Sequence, residues 1–197
     1  MDWLTTTTVL RDLRDFENRA AWEHFHGRFQ RPIVGFARSL GLGAADAEDV
    51  AQETLLAFAD LYRRGQYDRT RGRLSRWLFG IAYRQALAAR RGEARRGAKL
   101  AAQASDASFW TNVPDDALTT QAWEREWEQS LLEQCLEQVR REVEPVTFQA
   151  FELVVRAERD PADAARELNL PIKSVYNAKH RVLKRVRELR VALEEVD

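Results

Sequence analysis

Few side chains in this sequence have the types and spacing to make or break bonds. Its three histidines, His24, His26 and His180, are widely spread. His24 and His26 are two residues apart and do not share a helix face. No carboxylate or glycine-loop constellation accompanies them. The single cysteine, Cys135, excludes an internal disulfide and a cysteine-based zinc site. What the sequence does concentrate is cations. Residues 63–99 hold 12 basic and 2 acidic residues, and 173–190 holds seven basic residues opposed only by Glu188. Grouped guanidinium and ammonium groups bind phosphate oxygens, so both blocks are candidate nucleic-acid surfaces. A solvated helix face is the plain alternative for either block alone. The expectation is binding rather than catalysis, with no metal and no cofactor.

The chain as a whole is neutral, with 31 basic and 31 acidic residues among 197. Resolved by segment, the net charge is −4 over 1–62, +10 over 63–99, −8 over 100–160 and +2 over 161–197. Acidic bands thus alternate with basic ones, and the acidic bands repel free phosphate. The length allows one or two compact domains. No apolar run approaches the roughly 18 residues of a membrane span. The start, MDWLTTTTVLRDLRDF, lacks the basic head and apolar stretch of a secretory signal. A cytoplasmic protein without a membrane partner is expected.

The elements that position these charges read as helices. Period-two alternation of β-branched residues is absent, which predicts an all-α fold. A first helix spans 11–40, with a break expected near Gly27 or Pro32. Trp22, Phe25, Phe29, Ile33, Phe36 and Leu40 form its apolar side. Asp46 reads as the N-cap of a helix over 47–62, with Val50, Thr54, Leu55, Phe58 and Leu61 inward. A loop, 65–73, leads to a third helix beginning at Ser75, with Trp77, Leu78, Ile81, Ala82 and Leu87 apolar. All nine glycines lie at or before Gly97. Residues 92–120, rich in Ala, Ser, Asp and Thr, read as a flexible linker. Beyond it, Trp123, Trp127, Leu131, Cys135, Val139 and Val143 recur every four residues as one amphipathic stripe. Cys135 falls in that stripe, as a small core residue would. The expected architecture is two small helical domains: a three-helix unit over 1–91 and a second over 121–197.

The second unit carries a recognisable device. In DPADAARELNLPIKSVYNAKHRVLKRVRELR, residues 160–190, a short helix over 161–168 meets a longer one from Ile172 across Asn169–Leu170–Pro171. Small Ala164 and Ala165 allow a close crossing, and Leu168, Leu170 and Val175 fill the angle. This is a helix-turn-helix layout. The outward face of the second helix carries Lys173, Ser174, Tyr176, Asn177, Lys179, His180 and Arg181, which can reach phosphates or base edges in a major groove. Lys184, Arg185 and Arg187 continue the positive field.

Three motifs in order then resemble a bacterial RNA polymerase sigma factor, of the two-domain extracytoplasmic-function type in the sigma-70 family. DAEDVAQETLLAF (46–58) resembles the family's polymerase-binding helix. SRWLFGIAYRQALAARR (75–91) resembles its promoter-melting and −10-reading helix. AARELNLPIKSVYNAKHRVLKRVREL (164–189) is similar to its −35-reading helix-turn-helix. The resemblance covers roughly 11–91 and 121–190. It implies that Asp46, Asp49, Gln52 and Glu53 contact core RNA polymerase. It implies that the first basic block holds the unpaired strand at the −10 element, through a cationic surface and aromatic platforms. Tyr67 and Trp77 are the candidate platforms, although the helical spacing of Trp77 also suits a core residue. Arg69, Arg71, Arg73, Arg76, Arg84, Arg90 and Arg91 are the candidate backbone contacts. The chain departs from the family pattern at Arg84, Ala88 and Ala178. Implied partners are core polymerase, promoter DNA and, as a further candidate, an anti-sigma factor or other regulatory protein. The alternative is a stand-alone helix-turn-helix regulator that binds operator DNA as a dimer.

Overall fold

The computed structural model describes residues 10–15, 17–91 and 116–194, and among them every regular element is helical. The all-α expectation therefore holds. By contacts the chain divides into two compact units between Ser130 and Leu131.

In the first unit, α1 spans Arg19–Ser39 and opens on Asn18, whose side chain accepts the Ala21 N–H at 3.1 Å. It begins later than position 11, because Asn18 supplies the cap. It also runs unbroken through Gly27 and Pro32. Pro32 forfeits one backbone hydrogen bond, but Phe25, Phe29, Ile33 and Phe36 are all buried along the helix. Burial of four large side chains outweighs that loss. Helix α2 spans Ala44–Arg63, and its N-cap is Gly43 rather than Asp46. Asp46 lies in the first turn instead, where a carboxylate is favourable beside unpaired N–H groups. Val50, Thr54, Leu55, Phe58 and Leu61 all point inward as the spacing requires. The buried Thr54 hydroxyl donates to the Val50 carbonyl at 2.7 Å, so no polar group there is left unsatisfied. Helix α3 spans Leu74–Arg90.

The three helices close on aromatic rings. Phe58 of α2 stacks on Phe25 of α1 at 4.3 Å and meets the edge of Trp77 of α3 at 5.3 Å. The Tyr62 hydroxyl donates to the Leu10 carbonyl at 2.6 Å and ties the preceding segment to the same core.

A fourth wall comes from farther along the chain. Helix α4 spans Ala117–Glu142 and is capped by Asp116, whose carboxylate accepts the N–H groups of Leu118 and Thr119 at 3.2 Å each. Positions 116–120, expected in the linker, thus open a helix. Residues 92–115 of that linker lie outside the described residues. Trp123 is only 3% exposed, with its ring 5.3 Å from Phe36 and 5.6 Å from Phe79. Trp127 stacks on Phe29 at 5.4 Å. Gly35 has no side chain where the Glu126 carboxylate sits. Residues 121–130, expected in the second domain, therefore pack with the first unit. The four-residue stripe is continuous through α4, so the repeat does not signal where its packing partner changes.

The second unit holds the remainder of α4, then α5 (Pro145–Phe151), a π-type turn (Glu152–Arg156), α6 (Pro161–Glu167) and α7 (Ile172–Glu194). Cys135 and Val139 are buried. Phe148 and Phe151 pack at 5.7 Å. The Arg140 guanidinium lies 4.9 Å above the Phe148 ring and pairs with Glu152 at 2.9 Å.

Replacing Trp123 by Ala should empty a buried aromatic site and lower the stability of the first unit by about 3–5 kcal/mol. Chemical denaturation should show an earlier first transition. Ala at Leu118, 76% exposed, should shift it by no more than about 0.5 kcal/mol.

Candidate nucleic-acid interface

The first basic block is displayed by a short, pinned loop. Gly65, at φ 69°, turns the chain away from α2, a conformation glycine adopts without strain. The Asp68 carboxylate accepts the Thr70 N–H at 2.9 Å and its hydroxyl at 2.7 Å. Those hydrogen bonds, the hydroxyl's first, hold the Asp68 carboxyl below its ordinary pKa. They also fix a 3₁₀ turn over Arg69–Arg71. Arg69, Arg71, Arg73 and Arg76 are all exposed on this loop and the first turn of α3. Farther along α3, Arg90 and Arg91 are exposed as well. Arg84 differs: it is half-buried, and burial pushes its guanidinium below its usual pKa. Arg64, next to the loop, pairs with Asp60 at 2.9 Å.

The two aromatic candidates fare differently from expectation. Trp77 is 1% exposed and sits against Phe58 and Tyr67. Its ring has no open face, so it is a core residue and not a platform. Tyr67 is half-buried, with its ring 5.0 Å from Trp77 and 6.4 Å from Tyr62. The sequence pattern did not single out Tyr83. It lies midway between Arg76 and Arg90, seven residues from each, a spacing that keeps residues on one side of a helix. It is half-buried, while Arg76 and Arg90 are exposed.

The acidic side chains of α2 form a second surface on the same unit. Asp46, Asp49 and Glu53 are brought together with Val50, Gln85 and Ala89 around a small cleft of about 30 Å³. Gln52 is exposed on the neighbouring side. Two residues there carried no sequence signal. Gln85 is 3% exposed, and its Nε2 has no hydrogen-bond partner among the described residues. Leu56, one turn beyond Gln52 and Glu53, is 65% exposed.

In the second unit, Asp160 caps α6 by accepting the N–H of Ala162 at 2.8 Å. Asn169 takes a left-handed φ of 52° at the turn, which asparagine tolerates better than most residues. The Leu170 N–H then donates to the Ala165 carbonyl at 2.9 Å. Ala164, Ala165 and Val175 form the buried crossing, with Leu170 packed on it. Leu168 is half-buried beside the turn. On α7, Lys173, Tyr176, Asn177, Lys179, His180, Arg181 and Lys184 are exposed, and Ser174 is half-buried. Ala178 is buried, as is Ala88 on α3, so at two of the three departures from the family pattern an alanine serves packing.

Arg185 is a correction to the expected positive field. Its guanidinium forks onto Glu142, with Nε–Oε2 at 2.6 Å and Nη2–Oε1 at 3.2 Å, and also reaches Glu188 at 3.2 Å. It joins α7 to the end of α4 within the second unit. The Arg185 hydrogen bond is the largest influence on Glu142 and lowers its carboxyl pKa. Among the described residues no group of three or more His, Cys, Asp or Glu is placed to hold a metal ion. No described helix is long and apolar enough to cross a membrane.

The described architecture is that of a helical protein with one cationic loop-and-helix surface and a helix-turn-helix. Residues 25–96 match the family model for sigma-70 region 2. The matched stretch takes in most of α1 and all of α2, the arginine loop and α3. No curated protein and no solved structure matches the chain significantly. The region 2 match supports a sigma factor role in transcription initiation, with core RNA polymerase and promoter DNA as the implied partners.

A lowered folded-state pKa means that Glu142 stabilises the second unit above the unfolded value, near pH 4.3, and that this contribution fades as pH falls through the folded value. Glu142→Gln should therefore cost about 0.5–1 kcal/mol at pH 7, a figure discounted for the pair's partial exposure. The difference between the two proteins in denaturant melts should shrink as pH falls below the unfolded value and through the lower folded one.

Proposed function

We propose that this chain is a sigma factor of the two-domain, extracytoplasmic-function type, acting in the cytoplasm and catalysing no covalent chemistry. The observation that carries this reading is the region 2 match over most of α1 and all of α2 and α3, with acids displayed on α2 and arginines on the loop and the start of α3. The acids Asp46, Asp49 and Glu53, with the amide of Gln52 beside them, dock on core polymerase, where a basic partner surface complements the carboxylates. The arginine loop and the exposed arginines of α3 hold the backbone of the strand separated at the −10 element. Tyr83, flanked by Arg76 and Arg90, supplies aromatic surface in place of Trp77. The helix-turn-helix reads the −35 element, with α7 in the major groove and Lys184 and Arg187 toward phosphates.

The binding energies divide between proteins and DNA in a way that suits a dissociable subunit. Free DNA meets the acidic bands as well as the basic ones, so the chain alone binds it weakly. Core polymerase covers the acids and aligns the two cationic surfaces on one promoter.

Reconstituted transcription with bacterial core polymerase tests the reading. Failure to associate with core, or to initiate from any promoter in a genomic library, would refute it. Changing Arg69, Arg71 and Arg73 together to Ala should abolish promoter opening, scored by permanganate reactivity of unpaired thymines, while core association persists. The same change should flatten the dependence of log binding on log salt by about 2, for three single-strand phosphate contacts. Reversing two charges of the other surface, Asp49→Lys with Glu53→Lys, should weaken core association by at least about tenfold in low salt, and less in high salt.

A further inference from the structure

Cations explain most of the outward face of α7, but not its first turn. Val175, Ala178, Val182 and Val186 are buried. On the outward side, Ile172 is 46% exposed and Tyr176 is 54% exposed. They stand four residues apart, so they are neighbours on the helix surface. Lys173, Asn177 and His180 border them and are exposed. No acidic residue occurs between Lys173 and Arg187. This small apolar step is therefore set among the exposed cations Lys173, Lys179 and Arg181.

The chemistry of that setting narrows the occupant. A partner must present dense negative charge around a compact apolar group. Duplex DNA does both: phosphates line the groove edges, and the C5 methyl of thymine is the one apolar group on the floor of the major groove. Long cationic side chains reach phosphates from the flanks of a helix, whereas a branched side chain such as Ile172 cannot hydrogen-bond to them at all. Residues in the first turns of a recognition helix are those that approach base edges. We propose that Ile172 and Tyr176 read thymine methyl groups in the upstream promoter element, so that recognition there has an apolar component beside its hydrogen bonds. The inference rests on the proposed entry of α7 into the major groove.

Deoxyuridine removes the thymine methyl and nothing else, which gives a direct test. The full chain with bacterial core RNA polymerase first selects duplexes from a randomised promoter library. Each thymine of the selected upstream element is then replaced, one at a time, by deoxyuridine. We expect one or two positions at which replacement weakens holoenzyme binding about fourfold, equivalent to about 0.8 kcal/mol for one buried methyl. Ile172→Ala or Tyr176→Ala should erase the thymine preference at one of those positions, with core association unchanged. Both side chains are exposed, and the deoxyuridine arm uses the unaltered protein, so misfolding cannot imitate the result. Selective binding that is indifferent to deoxyuridine at every position overturns the inference while leaving DNA reading by α7 intact. Loss of core association in Ile172→Ala or Tyr176→Ala, with thymine preference retained, assigns the patch to a protein partner and also overturns it. If Asn177→Ala with Lys179→Ala leaves selection of an upstream element unaffected, the reading on which the inference rests fails.

Discussion

Phe58 is the ring on which the first unit closes. Phe25 stacks on it at 4.3 Å from α1, Tyr62 stacks at 5.6 Å from its own helix, and Trp77 meets it edge-on at 5.3 Å from α3. Aromatic contacts of this kind have preferred geometries as well as large buried area. They set how three short helices approach one another, and so which side chains are left outside. Trp77 goes inward to complete that cluster, and its neighbour Arg76 is thereby turned to the surface. The 3₁₀ turn of the arginine loop begins six residues after Arg63, the last residue of α2, so its position is inherited from the same packing. A weaker core would leave the charges in the sequence but not on defined surfaces.

The same core organises charge. With aromatic and aliphatic groups filling the space between helices, acids of α2 and arginines of the loop and α3 are displayed on one small unit. Neutrality of the whole chain follows from adding surfaces of opposite charge. Local pairing then trims each surface. Arg64 is held by Asp60, and Arg185 is held by Glu142 and Glu188. The cationic block near the C-terminus is thus narrower than its residue count. Lys173, Lys179, Arg181, Lys184, Arg187 and Arg190 are its exposed cations on α7.

Much of this was legible in the residues. The presence of the helices, the inward set on α2 and most of that on α3, and the helix-turn-helix with its small-residue crossing follow from periodicity and turn chemistry. Errors fell where a local signal had two physical readings. Asp46 suits an N-cap or a first turn equally well, and Gly43 took the cap. Pro32 signals a break, yet burial along α1 carried the helix through it. Trp77 has the spacing of a core residue and the chemistry of a base platform, and only its burial separates the two.

By itself the sequence determined what kind of surface each helix presents: its apolar side, its charge and its ends, because these depend on neighbours within a few residues. Tertiary structure decided which partner each surface meets. Trp123 and Trp127 continue the same stripe as Cys135 and Val139, yet they pack with the first unit because Phe29, Phe36 and Phe79 are there to receive them. Arg185 is drawn out of the positive field of α7 because Glu142, 43 positions away, lies within hydrogen-bond reach. Periodicity shows that a face is buried or a charge exposed. It does not encode the distance between residues far apart in the chain, and both outcomes turned on that distance.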